Sequence, residues 1–124
     1  MDIGKTNDNY TFYEGYEGES EIILIIPNED IIHIWEGYFD DIYDTPSLDG
    51  NGWKGFTRDY HQIEGIFADD NAETEVNATE YLEDLMLYEN KIFEYDETTQ
   101  VFDLMVSLFE KAIEIGSAVI VKKE

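Results

Sequence analysis

The chain of 124 residues carries 30 acidic and seven basic side chains, and its formal net charge of −23 argues against direct contact with nucleic acid or an anionic membrane. It contains no cysteine, which excludes disulfides and thiolate chemistry. Because 43% of its residues are hydrophobic, the acidic balance does not imply disorder, and we predict a single folded domain over residues 1–124.

The first third of the chain predicts two strands and a helix. Tyr10–Tyr13 and Ile22–Ile26 favour strands, the second covered on both faces, and the two are expected to form a hairpin. Asn28, which follows a proline, is a candidate N-cap for a helix that begins near Glu29 and continues to about Tyr43. Apolar side chains recur through that segment at helical spacing, namely Ile31, Ile34, Trp35, Tyr38 and Ile42.

The middle of the chain has weaker signals. Thr45–Gly52 is predicted to be a loop by composition, and Trp53–Phe56 and Tyr60–Phe67 are expected to form one or two irregular strands. A further helix is expected to start at Asn77 or Thr79, where either side chain can cap it.

The last quarter carries the strongest pattern. A helix is predicted here, with Thr98 or Thr99 as its candidate N-cap and Gly116 as its candidate end. Ser117–Val121 is predicted to form a short buried strand, and Lys91–Tyr95 fits either a strand or the approach to this helix. The helical face is formed by Val101, Leu104, Met105, Leu108, Phe109, Ala112 and Ile113. The pattern as a whole predicts an α+β fold, a small mostly antiparallel sheet with about three helices packed on it.

No sequence motif identifies catalytic chemistry. Patterns for a phosphate-binding loop, a dinucleotide site, a zinc helix and a nucleophile elbow are missing, so we expect no cofactor, no metal and no enzyme activity. The only histidines are His33, expected to border the core, and His61, which could pair with Asp59 or Glu64. A small acidic enzyme that uses His61 is kept as an alternative.

Acidic residues interleaved with aromatic ones point to a binding surface, most densely in Trp35–Asp44. Tyrosine and tryptophan supply contact area at protein interfaces, and carboxylates steer a basic partner toward it. Acids at the end of the predicted helix are unfavourable for its dipole, which favours a functional reason for them. The predicted partner-binding residues are the acids Asp40, Asp41, Asp44, Asp49, Asp69 and Asp70, with Tyr43 and Trp53 as aromatic anchors.

In small size, acidity and lack of cysteine, the whole chain resembles the immunity proteins of bacterial toxin systems, including those of contact-dependent growth inhibition. The resemblance implies a cytoplasmic protein that binds a cognate basic toxin domain, often a nuclease, and covers its active site. It involves no signature motif and therefore assigns no residues. A cytoplasmic location is also expected because no secretory signal or membrane-length apolar run is visible. Two further alternatives are a DNA mimic that inhibits a DNA-binding protein and a cation-binding or halophilic domain.

Overall fold

A computed structural model describes residues 7–45, 54–63, 65–68 and 73–124. The described elements form the predicted α+β fold, with four helices and a five-stranded mixed sheet. In chain order they are β1 (Asn7–Phe12), β2 (Glu21–Ile26), β3 (Asp30–Trp35), α1 (Glu36–Tyr43), α2 (Gly55–Gln62), β4 (Glu73–Val76), α3 (Ala78–Met86), α4 (Asp96–Ile115) and β5 (Val119–Lys123). A single 3₁₀ turn, Gly65–Phe67, lies between α2 and β4.

The sheet is centred on β2. The strand order is β1-β3-β2-β5-β4, and every neighbouring pair is antiparallel except β1 with β3. Ile22, Leu24 and Ile26 of β2 are fully buried and belong to the same core cluster as side chains of the helices. On the opposite face Ile23 is buried but Ile25 is only partly buried, so the expected cover on both faces is incomplete.

The expected hairpin between the first two strand segments is wrong. Instead, β2 pairs with β3 through the three-residue turn Pro27–Glu29, and β1 lies on the far side of β3. Asn28 adopts a φ of 65°, a left-handed conformation that asparagine tolerates better than most residues. It is therefore a turn residue and not a helix cap.

The helix expected from Glu29 to Tyr43 is wrong in its first half. Residues 30–35 form β3, in which Ile32 and Ile34 alternate into the core, and the helix starts only at Glu36. The spacing of Ile31, Ile34 and Trp35 is helical, whereas Ile32 and Ile34 alternate as in a strand, and pairing with β2 along its whole length decides for the strand.

The irregular strands expected after residue 53 are also wrong in the described part, because residues 55–62 form α2. The start of α2 is stabilised by a residue distant in sequence, since the buried Asp84 carboxylate of α3 accepts a hydrogen bond from the Thr57 N–H at 3.0 Å. Gly55 permits this approach: its φ is +58°, and a Cβ there would lie 2.8 Å from the Asp84 Cβ.

The last quarter of the chain agrees with its pattern except at the start of the helix. Because α4 begins at Asp96, directly after Tyr95, Thr98 and Thr99 lie inside the helix and neither is its N-cap. The expected face of α4 supplies the buried residues Val101, Met105, Leu108, Phe109 and Ala112, whereas Leu104 is partly buried and Ile113 is exposed. Gly116 ends the helix with a φ of 71°, and β5 follows beside β2. Asn77 caps α3 as predicted, its Oδ1 accepting from the Glu80 N–H at 2.9 Å. Residues 91–95 form no strand and lead into α4.

Candidate partner-binding surface

The predicted acids of α1 differ in their surroundings. Asp40 is partly exposed, and Asp44, at the C-terminal end of the helix, is exposed and forms an ion pair with Lys91. Burial is the main influence on Asp40 and raises the pKa of its carboxyl, although a hydrogen bond from Tyr60 opposes this shift. Burial and the same Asp40 carboxylate raise the pKa of Tyr60 to about 12, so this tyrosine remains a protonated donor at neutral pH. Both carboxylates thus have a partner inside the protein, and both also keep surface that is open to solvent.

Asp41 is a correction to the predicted contact set. Its side chain is buried, and its carboxylate accepts hydrogen bonds from the N–H groups of Glu94 at 2.8 Å and Tyr95 at 2.9 Å and from the Thr98 hydroxyl at 2.7 Å. Burial alone would raise the pKa of Asp41, but these three donors together with Lys91 lower it. Asp41 thus joins α1 to the start of α4 and is occupied inside the protein.

Tyr43 is the second correction. It is fully buried, with its ring centroid 4.9 Å from those of both Phe39 and Tyr88, so it belongs to the core and cannot serve as a surface anchor in this structure. Its hydroxyl has no hydrogen-bond partner within the described part of the chain, and burial raises its pKa well above the ordinary tyrosine value.

Four of the predicted contact residues cannot be placed. Asp49, Trp53, Asp69 and Asp70 lie outside the described residues.

A group of aromatic rings surrounds Trp35, at the junction of β3 and α1. The ring of Tyr16 stacks on the indole with centroids 4.1 Å apart and planes inclined by 4°. The rings of Tyr38 and Tyr95 meet the indole edge-on, at 5.2 and 5.7 Å. Gly37 makes this arrangement possible, because a Cβ at that position would overlap the indole ring.

This aromatic group borders an acidic depression of about 260 Å³. Its lining residues are Trp35, Gly37, Asp40, Asp41, Asp44, Glu94 and Tyr95, none of which is basic. Glu19 adds another carboxylate next to it, accepting a hydrogen bond from the Trp35 indole N–H at 3.3 Å. Such a depression is at or below the small end of ligand pockets, which span about 300–1,000 Å³, and one protruding side chain would suit it better. We call this region, Trp35, Asp40, Asp44, Glu94 and Tyr95, the Trp35 surface.

The chemistry of the Trp35 surface favours a cationic group. Tyr16 already covers one face of the Trp35 indole, whereas Tyr95 is 40% exposed. A lysine or arginine side chain at the Tyr95 ring would gain cation–π attraction, and the surrounding carboxylates would accept its hydrogen bonds. Trp35, Asp40 and Asp44 lie in the segment that the sequence singles out, whereas Glu94 and Tyr95 are missed. No periodicity or motif marks these two residues, and the hydrogen bonds to Asp41 are what bring them here.

The two histidines are engaged within the protein. His33 lies in β3, not in a helix, and contacts Asp8 and Glu21 through its two ring nitrogens, at 2.8 and 3.1 Å. The Nε2 atom of His61 lies 2.7 Å from the Tyr43 carbonyl oxygen, which can only accept a hydrogen bond. Within the described ranges, no group of three or more His, Asp or Glu side chains is arranged to hold a metal ion.

Comparisons of the chain with protein families, with curated proteins and with solved structures find no match. Among the helices that the structure describes, none combines the length and apolar character needed to cross a membrane.

Proposed function

We propose that this chain is an acidic cytoplasmic immunity protein that binds a cognate basic toxin domain, of the nuclease type, and neutralises it by covering the active site. The observation that carries the proposal is the Trp35 surface, where the partly exposed Trp35 and the exposed Tyr95 lie beside carboxylates, with no basic residue in the lining of the depression. The net charge of −23 extends the same preference to the whole molecule.

The proposed mechanism separates attraction from close contact. A nuclease domain needs a positively charged cleft to hold its polyanionic substrate, and the field of this chain would attract that cleft over a distance. At contact, Trp35 and Tyr95 would receive a lysine or arginine of the partner, while Asp40, Asp44 and Glu94 would occupy positions that substrate phosphates otherwise take.

The first test is the neighbouring DNA in the source genome. We expect an open reading frame directly upstream that ends in a basic C-terminal domain of a large secreted protein. A gene that stands alone, or that lies among phage or metabolic genes, would contradict the immunity proposal and favour the DNA-mimic alternative.

The second test measures binding to that basic domain, made catalytically inactive for safe production. A triple variant, Asp40→Asn with Asp44→Asn and Glu94→Gln, should associate about tenfold more slowly at low salt and with a weaker salt dependence. The matched control neutralises three exposed acids of α4, Asp103→Asn with Glu110→Gln and Glu114→Gln. Because both variants lose three negative charges, equal effects would mean that only the overall charge attracts the partner and that the Trp35 surface is not the contact.

A further inference from the structure

The connection between α3 and α4 projects an isoleucine into solvent. Ile92 is 94% exposed, more than any other large hydrophobic side chain in the described part of the chain. Its neighbours on both sides turn inward. Lys91 directs its amine to the carbonyl oxygens of Asp41 and Ile42, at 2.8 and 2.9 Å, and Phe93 packs against the core. Ile92 is thereby left on the outer side of the connection.

The backbone around Ile92 is held in place. The Lys91 N–H donates to the Tyr88 carbonyl at 3.0 Å, and the Asp41 carboxylate accepts from the N–H groups of Glu94 and Tyr95. Hydrogen bonds therefore fix the chain immediately before and shortly after Ile92. A side chain presented from an ordered backbone loses less conformational entropy on binding than one on an unconstrained loop.

The exposed hydrophobic residues of this region are concentrated and not scattered. Met86, Leu87, Ile92 and Tyr95 all fall within ten consecutive residues, and they make up half of the eight large hydrophobic side chains that are exposed among the described residues. Single exposed hydrophobic residues are normal on protein surfaces, so four of them along one short stretch of the chain make this stretch a candidate for contact with a partner.

The charge of the same region indicates the kind of partner. Glu89, Glu94, Asp96 and Glu97 are exposed, while the one basic residue between them, Lys91, has its amine directed toward the C-terminal end of α1. A second copy of a chain with a net charge of −23 would be repelled from this rim. The occupant that fits is a basic protein.

We infer that Ile92 is the apolar anchor of the partner interface, and that it inserts into a hydrophobic pocket bordered by lysine or arginine side chains on a basic protein. The inference rests on the proposed function and extends the Trp35 surface along the connection to α4, since Tyr95 belongs to both regions.

The test compares Ile92→Ser with Ile115→Ser, in titration calorimetry against the catalytically inactive basic domain encoded upstream. Ile115 is a matched control because it is also an exposed isoleucine, at 50%, but lies at the far end of α4. Ile63 is less suitable, since its positive φ of 51° makes any substitution there change backbone strain. We expect Ile92→Ser to weaken binding by about 30-fold or more, the loss typical of an interface hot spot, and Ile115→Ser by less than about threefold.

Two further outcomes are informative. Ile92→Val, which keeps the apolar branched side chain, should retain most of the affinity, and the salt dependence should be the same for Ile92→Ser as for the wild type. If the wild type binds and Ile92→Ser binds equally well, the anchor is wrong while the proposed function stands. If the wild type itself does not bind the basic domain, the proposed function fails and the inference fails with it.

Discussion

Replacing Asp41 with asparagine tests whether one buried carboxylate joins α1 to the start of α4. The carboxylate accepts three hydrogen bonds, from two backbone N–H groups and one hydroxyl. Asparagine keeps one carbonyl oxygen and turns an NH₂ group toward donors that already point at the site. The variant therefore both loses acceptors and places two donors against each other.

The magnitude follows from the surroundings of the three donors. A hydrogen bond to a charged group contributes about 1.5–3 kcal/mol. Thr98 is fully buried and cannot recover its loss from water, whereas Glu94 and Tyr95 are exposed, so water can replace part of theirs. We expect Asp41→Asn to lower the free energy of unfolding by roughly 2–4 kcal/mol, less than three such bonds added together.

The effect should depend on pH in a defined direction. Burial alone would raise the pKa of Asp41, but the donors around it lower the pKa below the ordinary value. A carboxyl with a depressed folded-state pKa contributes its full stabilisation at pH values above its unfolded-state pKa, which is about 4 for aspartate. This stabilisation is lost as the pH falls through the folded-state pKa. The difference between wild type and Asp41→Asn should thus be constant from pH 7 to about 5 and shrink below about 4.

Urea unfolding at pH 7, 5 and 3 measures this difference. Asp103→Asn, at an exposed position of α4, is the control because it makes the same change of charge in a strongly self-repelling protein. It should alter the free energy of unfolding by no more than about 0.5 kcal/mol. A loss for Asp41→Asn no larger than that of the control, or a loss that persists unchanged at pH 3, would refute the reasoning.

Three other substitutions test local features of the fold. Gly37→Ala should displace the Trp35 indole and lower the free energy of unfolding by about 1–3 kcal/mol, which near-ultraviolet circular dichroism and urea unfolding would detect. In a Trp35→Ala background the same change should have little effect on stability, and an equal loss there would exclude the proposed overlap. Asn77→Ala should cost about 1 kcal/mol in urea unfolding, because the Glu80 N–H loses its acceptor; unchanged stability would show that the cap is unimportant. Ile63→Asn should raise the stability by about 1 kcal/mol, since Ile63 is 68% exposed and holds a left-handed φ of 51°; a lower melting temperature would argue against strain at this position.

The parts of the fold that the sequence predicted are those whose signals are local. The face of α4 repeats over four turns, and Gly116 ends the helix with its own backbone conformation, so both are visible without knowledge of the rest of the chain. The Asn77 cap is equally local, because the side chain bonds to a residue three positions away. The continuous run of branched residues in β2 also identified the central strand.

The parts that were missed depend on contacts between distant residues. The helix α2 receives a cap from Asp84, 27 residues further along the chain, and no feature of residues 55–62 reveals this. In β3, the spacing of isoleucines was ambiguous, and the turn at Asn28 decided it by returning the chain against β2. The same reason applies to the Trp35 surface, of whose residues only Asp40 and Asp44 are among the predicted contacts. Trp35 lies in the same segment, but Glu94 and Tyr95 arrive through Asp41.

Asp41 also shows why composition could not identify the contact residues. Asp40, Asp41 and Asp44 look alike in the sequence, yet the Asp41 carboxylate is buried among its donors, whereas Asp40 and Asp44 keep surface open to solvent. In the described part of the chain, Asp41, Asp59 and Asp84 are the buried acids, and the hydrogen bonds they accept account for their presence in the fold. Three residues explain little of a total of 30 acids. Ion pairs engage some of the others, but seven basic side chains cannot balance 30 acids. Because self-repulsion opposes compactness, we expect the reason for this excess at the surface, where a basic partner would be attracted.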